Sequence, residues 1–317
     1  MFREQIKIVD CTIRDGGLMN DWYFPDDLVR DVYVGLNQAG VDYMEIGYRA
    51  SKRLFSPEKF GPWRFCDDDH VARLLDGIER RTKLSIMVDV DRVDLDQILP
   101  AEQSVIDMVR VATYVPDIDK AIYLANDAHE KGYETTINVM AISRAIETEL
   151  DEALAQIEEE SHVAAAYLVD SFGALYSEQI HFLTDKFRSF LKTRETGVHC
   201  HNNQQLAYAN TIEGIIHNAN FVDGTIYGIG RAAGNCPLEL LIAFLKNPKF
   251  NVRPVLGLIS KHFMAMQQEL KWGYHIPYMI TGVLNEHPRS AMAVMKGGNL
   301  NNFVDFFEQI AGDPELA

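Results

Sequence analysis

Apolar segments rich in β-branched residues recur about every 30 residues, and a segment with helical periodicity follows nearly every one. The strand-like segments are almost continuously apolar, which is typical of parallel strands covered by helices. They predict strands over 6–10, 41–47, 84–89, 105–111, 134–140, 164–170, 196–200 and 220–227. The segments between them predict helices over 25–39, 68–80, 94–100, 117–131, 147–160, 176–192, 203–218 and 236–246.

Eight successive strand–helix units favour an α/β fold, a closed (β/α)8 or TIM barrel over residues 1–250. A doubly wound open sheet is the alternative. Residues 251–317 predict a mainly helical C-terminal extension, with helical patterns around 257–272 and 303–311, packed on the barrel or on a partner subunit. The loop 48–66 is long for a connection in such a barrel, so it is either a lid or substrate loop or a surface excursion.

Composition narrows the possible partners. The chain has 317 residues, 47% hydrophobic and 24% charged, which is typical of a soluble globular protein. A net charge of −16 without a basic stripe argues against nucleic acid. No apolar run reaches about 18 residues, and the N-terminus lacks a signal-peptide pattern, so we expect no membrane partner and a cytoplasmic location. The four cysteines lack CxxC spacing and are expected to be reduced. The apolar extension suggests a homo-oligomer, as a dimer.

A metal site is predicted from two histidines in the seventh strand. His199 and His201 are two residues apart and therefore point to the same side of that strand. With one carboxylate they would form a three-point site for a divalent metal, with coordination positions left open for substrate. Asp15 follows the first strand, which barrel closure brings near the seventh at the face where such barrels place their active sites. The alternatives are a satisfied pair of core histidines and, for Asp15, a turn former or cap.

With these residues in place, the chain resembles the HMG-CoA-lyase-like (DRE-TIM metallolyase) superfamily of metal-dependent aldolase and acyl-transferase barrels. Within it, the chain is most similar to 4-hydroxy-2-oxovalerate aldolase-type enzymes. The matching segments span the barrel in the family's order: DCTIRDGG (10–17), MEIGY (44–48), LVDSFGAL (168–175), VHCHNNQQLAYAN (198–210) and VDGTIYGIGRAAGNCPLE (222–239).

The resemblance implies a carbon–carbon lyase that acts on a 4-hydroxy-2-oxo acid through a pyruvate enolate. Arg14, Asp15 and Glu45 match the residues that give the superfamily its name, and Asp15, His199 and His201 match its metal ligands. Asn235 matches a further ligand or near neighbour of the metal in some members; the alternative is a cap of the last barrel helix. We expect Mn²⁺, with Zn²⁺, Co²⁺, Fe²⁺ or Mg²⁺ as alternatives, since a site with two histidines suits Mg²⁺ least.

Arg14 would donate hydrogen bonds to the developing enolate oxygen. A structural salt bridge to Glu45 is the alternative for Arg14, and it is compatible with the catalytic role.

Five further residues are predicted to contribute to substrate binding. Gly16 and Gly17 would let the backbone approach the substrate closely. Asn138 would line the barrel interior. Asp170 would face the mouth and orient a metal-bound histidine, or else cap the next turn. Tyr48, with the nearby Arg49, Lys52 and Arg53, would suit an anionic or hydroxylated substrate; a solvated loop is the alternative.

The chain also departs from the family pattern. Leu18 occupies the position of the histidine that transfers protons in oxovalerate aldolases, and Tyr23, Tyr48, Tyr274 or His275 are candidates to replace it. The glycine-rich loop ahead of Asn235 lacks the cysteine of HMG-CoA lyases. Arg231 resembles an arginine of isopropylmalate and citramalate synthases, so a condensing enzyme for acyl-CoA and a 2-oxo acid is one alternative function. A non-catalytic barrel is the other.

Overall fold

The predicted barrel is confirmed in a computed structural model that describes residues 1–297 and 302–312. All eight strands are parallel, and each pairs with its neighbours in chain order. The barrel closes where the first strand pairs with the eighth, Lys7 beside Phe221 and Asp10 beside Gly224. The strands are β1 Lys7–Asp10, β2 Tyr43–Tyr48, β3 Lys83–Asp89, β4 Met108–Thr113, β5 Glu134–Val139, β6 Ala165–Asp170, β7 Glu195–Cys200 and β8 Phe221–Gly224.

The helices cover the outside of the barrel, and the main core lies between them and the strands. They are α1 Thr12–Asn20, α2 Asp26–Ala39, α3 Asp68–Leu74, α4 Ile118–Glu130, α5 Glu147–Glu160, α6 Ser177–Phe190, α7 Ala207–Ile216 and α8 Leu238–Leu245. Within the described ranges, no helix is both long and apolar enough to cross a lipid bilayer.

Two predicted helices differ from the structure. The helix predicted over 94–100 is wrong: a single 3-10 turn, Leu95–Gln97, lies there, and Pro100 cannot donate the hydrogen bond that would extend it. The helix predicted over 68–80 ends at Leu74, and Gly77 beyond it adopts a left-handed conformation with φ of 75°. The helix of the third unit is therefore missing, and α3 of the second unit is shorter than predicted.

Helix α1 was not predicted, and it carries several of the candidate site residues. Its two glycines are poor helix formers, which hid the helix in the sequence. The fold requires them, because a Cβ on Gly17 would lie 2.1 Å from the Trp22 indole. A Cβ on Gly16 would lie 3.1 Å from the Ile229 side chain. The tertiary contacts of α1 therefore override its low intrinsic propensity.

The described part of the region after the barrel is mainly helical. Helices α9 (Val252–Leu258) and α10 (Met264–Leu270) flank a π-helical turn, Ile259–Phe263, and α11 (Ile276–Val283), α12 (Arg289–Gly297) and α13 (Phe303–Ala311) follow. Tyr278, Ala291 and Phe306 pack with Ala232 and Ala233 of the loop after β8. The C-terminal helices thus cover the end of the barrel where the strands finish. Positions 298–301 and 313–317 of the predicted extension lie outside the described residues.

Candidate active site

Asp15, His199 and His201 meet at the carboxyl ends of the strands. Asp15 lies in the first turn of α1, directly after β1, while His199 is in β7 and His201 just beyond it. One ligand atom from each of the three lies within 4.8 Å of the other two. The two imidazole rings are 5.1 Å apart at an angle of 74°, so they converge without stacking. All three residues are buried.

Asp223 orients the His199 ring. Its Oδ2 lies 2.8 Å from Nδ1 of His199, at the level of β8. This contact leaves Nε2 of His199 as the nitrogen that can face a cation, and Nε2 is buried without a hydrogen-bond partner among the described residues. A carboxylate on the far nitrogen is the usual partner of a metal-binding histidine.

Asn235 lies against Asp15. Its Nδ2 donates to Asp15 Oδ2 over 2.6 Å and to the carbonyl of Ile229 over 3.1 Å, while its Oδ1 is buried and unpartnered in the part of the chain that is described. It does not cap α8, whose N-cap position is Pro237. Gly230 makes this approach possible, because a Cβ there would lie 2.1 Å from Asn235 Nδ2 and 2.4 Å from Asp15 Oδ2.

A buried chain of charges connects Arg14 to Asp223. Arg14 donates from Nη1 to Asp15 Oδ1 over 2.5 Å and from Nε to Glu45 Oε2 over 2.6 Å. Arg110, on β4, lies 3.1 Å from the same Glu45 oxygen and 2.7 Å from Asp223 Oδ2. The salt bridge between Arg14 and Glu45 that we predicted is present, but it is one link of a longer network.

The electrostatics of the network favour ionised carboxylates and a neutral histidine. Burial works against ionisation of Asp15, but the adjacent Arg14 guanidinium outweighs it and holds the pKa of this carboxyl well below its usual range. Burial likewise opposes ionisation of Asp223, yet Arg110 and the His199 hydrogen bond lower its pKa to about 2. Burial lowers the pKa of His201, so its imidazole is neutral. Anionic carboxylates and neutral imidazoles are the forms that bind metals.

The donor set fits a divalent cation. It offers the Asp15 carboxylate, the neutral His201 imidazole and two buried atoms that lack a described partner, His199 Nε2 and Asn235 Oδ1. A buried polar atom without a partner is costly, and a bound cation would satisfy both. A site with two histidine nitrogens suits a transition metal better than a site made only of oxygen ligands does.

An inner cavity of about 70 Å³ opens beside these groups. Asn138 and Tyr48, two of the residues predicted to bind substrate, line it together with Arg14, Leu18 and Arg231. Asn138 also accepts a hydrogen bond from Thr136 Oγ1 over 2.9 Å.

Three predicted substrate-binding residues do not line this cavity. Gly16 and Gly17 lie inside α1, where they pack on side chains, so the expected approach of their backbone to substrate is not seen. Asp170 accepts hydrogen bonds from the backbone N–H groups of Ala174 and Leu175, as expected of a turn cap. Burial raises its pKa to about 6 despite these bonds. The carboxylate that contacts a histidine ring of the site is that of Asp223, not that of Asp170.

The candidate acid/base residues differ in whether they line this cavity. Leu18 lines the cavity with an aliphatic side chain, and Tyr48 is the one candidate from the sequence that lines it as well. Tyr23 is exposed and donates to the carbonyl of Glu58. Tyr274 and His275 lie at a different surface hollow beside the C-terminal helices. Sequence reasoning missed His287, which reaches the cavity from the loop before α12.

The missed residues gave little signal in the sequence. Arg110 is the one charged residue of β4, and a buried arginine there implies buried acidic partners. Asp223 lies in β8 and within the matched segment 222–239, yet its role depends on the register that places it beside His199. Arg231 was noted only for its resemblance to the synthases.

Replacing Asp223 by asparagine should weaken metal binding about 10- to 100-fold, since removing a carboxylate behind a ligating histidine has this effect in metal sites generally. The measurement is the metal concentration at half-maximal rate. Asp170→Asn is the matched control, because Asp170 is also buried and acidic but caps a turn. It should lower thermal stability and leave the half-saturating metal concentration unchanged. An Asp223→Asn variant with wild-type metal affinity would contradict this role.

A closed barrel with buried histidines and a carboxylate at the carboxyl ends of its strands defines the class of this protein, a (β/α)8-barrel enzyme. A family model described as HMGL-like matches residues 5–259. The chain therefore belongs to the HMGL-like family.

Known proteins similar to this chain include lyases of two kinds. An oxaloacetate decarboxylase of Mycobacterium tuberculosis is 28% identical over 249 residues, covering 77% of this chain and 70% of the relative. A 4-hydroxy-2-oxovalerate aldolase of Pelotomaculum thermopropionicum is 28% identical over 251 residues, covering 78% and 72%. The solved N-terminal domain of a proposed aldolase from Bacteroides vulgatus has a TM-score of 0.79 at 28% identity, covering 92% of this chain and 97% of that one. The chain is a lyase of the HMGL-like family.

Proposed function

We propose that the protein is a divalent-metal-dependent aldolase that cleaves a 4-hydroxy-2-oxo acid to an aldehyde and the enolate of pyruvate. The observation that carries the proposal is the convergence of Asp15, His199 and His201 beside Arg14 in one small buried cavity. When bound, a divalent cation supplies Lewis-acid polarisation of the ketone and a hold on the neighbouring carboxylate.

Arg14 would stabilise the negative charge that develops on the enolate oxygen. Its guanidinium is fixed by Glu45 and Asp15, so it needs no reorganisation when the charge appears. Because Glu45 is itself held by Arg110, the orientation of Arg14 is set by the interior of the barrel and not by a mobile loop. Asn138 and Arg231, on the cavity wall, would bind the polar end of the 2-oxo acid.

A decarboxylase that acts on a 2-oxo acid with a 3-carboxylate is the second candidate. The observation in its favour is Leu18, an aliphatic side chain on the cavity wall, where the resemblance to oxovalerate aldolases implies a histidine for proton transfer. Aldol cleavage must remove a proton from the 4-hydroxyl group, whereas loss of CO₂ produces the same enolate without that step. The similarity to an oxaloacetate decarboxylase supports this candidate as well.

Exchange of the pyruvate methyl protons with D₂O, followed by NMR, tests the enolate step common to both candidates. We expect exchange with the metal-loaded protein and none after chelation. Bound metal without exchange would contradict the pyruvate enolate and direct the search to condensation of acyl-CoA with a 2-oxo acid, assayed by release of free CoA. If exchange occurs, pyruvate release from oxaloacetate and from a 4-hydroxy-2-oxo acid then separates the decarboxylase from the aldolase.

A further inference from the structure

Four of the five cationic residues of the loop 48–66 fall into two groups, and the fifth, Lys59, is exposed. Arg49 is tied to Asp68 at 2.8 Å and also donates to the carbonyls of Gln97 and Cys66. Lys52 and Arg53 pair with acidic residues at the surface. The charges of these three residues are therefore used within the protein, and the anionic-substrate role that the sequence suggested for them has no support in their contacts.

Arg64 is the exception. It is 5% exposed, and no carboxylate of the described residues lies within salt-bridge distance of it. Its guanidinium carbon lies 4.4 Å from the ring centre of Trp22, 4.5 Å from Tyr48 and 4.3 Å from Phe55. Its Nε is buried and has no hydrogen-bond partner in the described ranges.

The aromatic rings stabilise the positive charge of Arg64 but do not accept hydrogen bonds from its N–H groups. Cation–π contacts act on the face of the guanidinium, whereas its five N–H groups point outward in its plane and need acceptors. Arginine stays protonated even where burial lowers its pKa, as it does here. A buried, fixed cation whose planar donors find no acceptor among the described residues matches the geometry of a carboxylate or phosphate.

The position of Arg64 indicates which part of a substrate it would contact. Arg64 lines an outer chamber of about 580 Å³, and this chamber shares Leu18, Tyr48 and Arg231 with the small inner cavity beside Asp15. A 2-oxo acid held in the inner cavity would therefore extend its hydroxyalkyl end into the outer chamber. Asp89 and Arg92 are on the same wall, 3.8 Å from each other.

We propose that Arg64 recognises an anionic group on the part of the substrate that leaves as the aldehyde, so the enzyme selects aldehydes that carry a carboxylate or a phosphate. This inference rests on the proposed aldolase function. It makes Arg64 a specificity-determining residue that has no part in enolate formation.

The aldol direction provides the test, with pyruvate and paired aldehydes. Succinic semialdehyde against butanal tests a carboxylate, and glyceraldehyde 3-phosphate against glyceraldehyde tests a phosphate. The wild type should prefer the anionic member of at least one pair. Arg64→Met should raise the KM for that aldehyde by about 30-fold or more, since truncating one partner of a buried charge pair has effects of this size. The KM for its neutral counterpart and the exchange of pyruvate protons should stay near wild-type values.

Arg53→Met is the matched control, because Arg53 is in the same loop but exposed and paired with Asp96. It should leave the preference for the anionic aldehyde intact. Normal pyruvate exchange in Arg64→Met would show that the variant is folded. Equal use of anionic and neutral aldehydes by a wild type that exchanges pyruvate protons would overturn the role of Arg64 and leave the proposed function standing.

A binding measurement tests for an anion site at Arg64 without relying on catalysis. The Trp22 indole lies against Arg64, so tryptophan fluorescence should change saturably when succinate or inorganic phosphate is added. The response should vanish in Arg64→Met and persist in Arg53→Met. A response that is absent from the wild type, or identical in Arg64→Met, would contradict an anion site here even if pyruvate exchange had failed.

Discussion

Replacing His199 by alanine is expected to reduce the rate of pyruvate proton exchange by at least about a thousandfold, because Lewis-acid stabilisation is worth several kcal/mol and each 1.36 kcal/mol is a factor of ten. The substitution removes Nε2 from the site and also leaves Asp223 without its imidazole partner. His201→Ala should reduce the exchange rate by a similar factor. The measurement is the initial exchange rate at saturating pyruvate and metal.

His162→Ala provides the control. His162 is exposed and precedes β6, at the end of the barrel opposite the candidate site. It should retain the wild-type rate, which separates loss of a ligand from a general effect of removing histidine. Thermal unfolding of each variant shows whether the barrel is intact. A folded His199→Ala variant that exchanges pyruvate protons within about tenfold of the wild-type rate would contradict metal-assisted chemistry at this position.

Replacing Arg14 by methionine is expected to lower kcat by about 10²- to 10³-fold, the usual loss when one donor to a developing oxyanion is removed. Arg14→Lys should recover little of this loss. The lysine ammonium is a point charge, and it cannot reproduce the two fixed contacts that Arg14 makes with Glu45 and Asp15. The measurement is kcat for pyruvate formation together with bound metal.

Two controls make the result on Arg14 specific. Bound metal should stay near the wild-type level, because Asp15, His199 and His201 are unchanged. Stability should fall only in part, since Glu45 keeps its contact with Arg110. If kcat were unchanged while KM rose, Arg14 would contribute only to ground-state binding. If metal were lost along with activity, Arg14 would act through the Asp15 carboxylate instead of through the substrate.

The barrel could be predicted because its strands are continuously apolar and regularly spaced. The observed strand ends differ from the predicted ones by a few residues. Strand β8 ends at Gly224, where the loop toward Asn235 begins, and β4 extends to Thr113. Helix α1 could not be predicted, since its glycines are unfavourable for a helix and only the contacts with Trp22 and Ile229 show why they are there.

The candidate metal ligands could be predicted because the two-residue spacing of His199 and His201 and the closure of the barrel are both readable from sequence. The buried charge network behind these candidate ligands could not be predicted. Arg110 and Asp223 act through pairings between β4, β2 and β8 that depend on strand register. Arg64 was likewise invisible as a candidate, because only the fold shows that Arg49, Lys52 and Arg53 are paired and that Arg64 is buried without a carboxylate partner among the described residues.

The most direct test of the account is the amount of divalent metal bound per chain, measured after loading with Mn²⁺ and desalting. It compares the wild type with an Asp15→Ala, His201→Ala double variant. The surface group of His181, Glu213 and His217 is intact in both, so weak binding there cancels in the comparison. We predict about one equivalent more in the wild type than in the double variant, as a three-ligand site requires. Equal metal contents in two folded proteins would contradict the site.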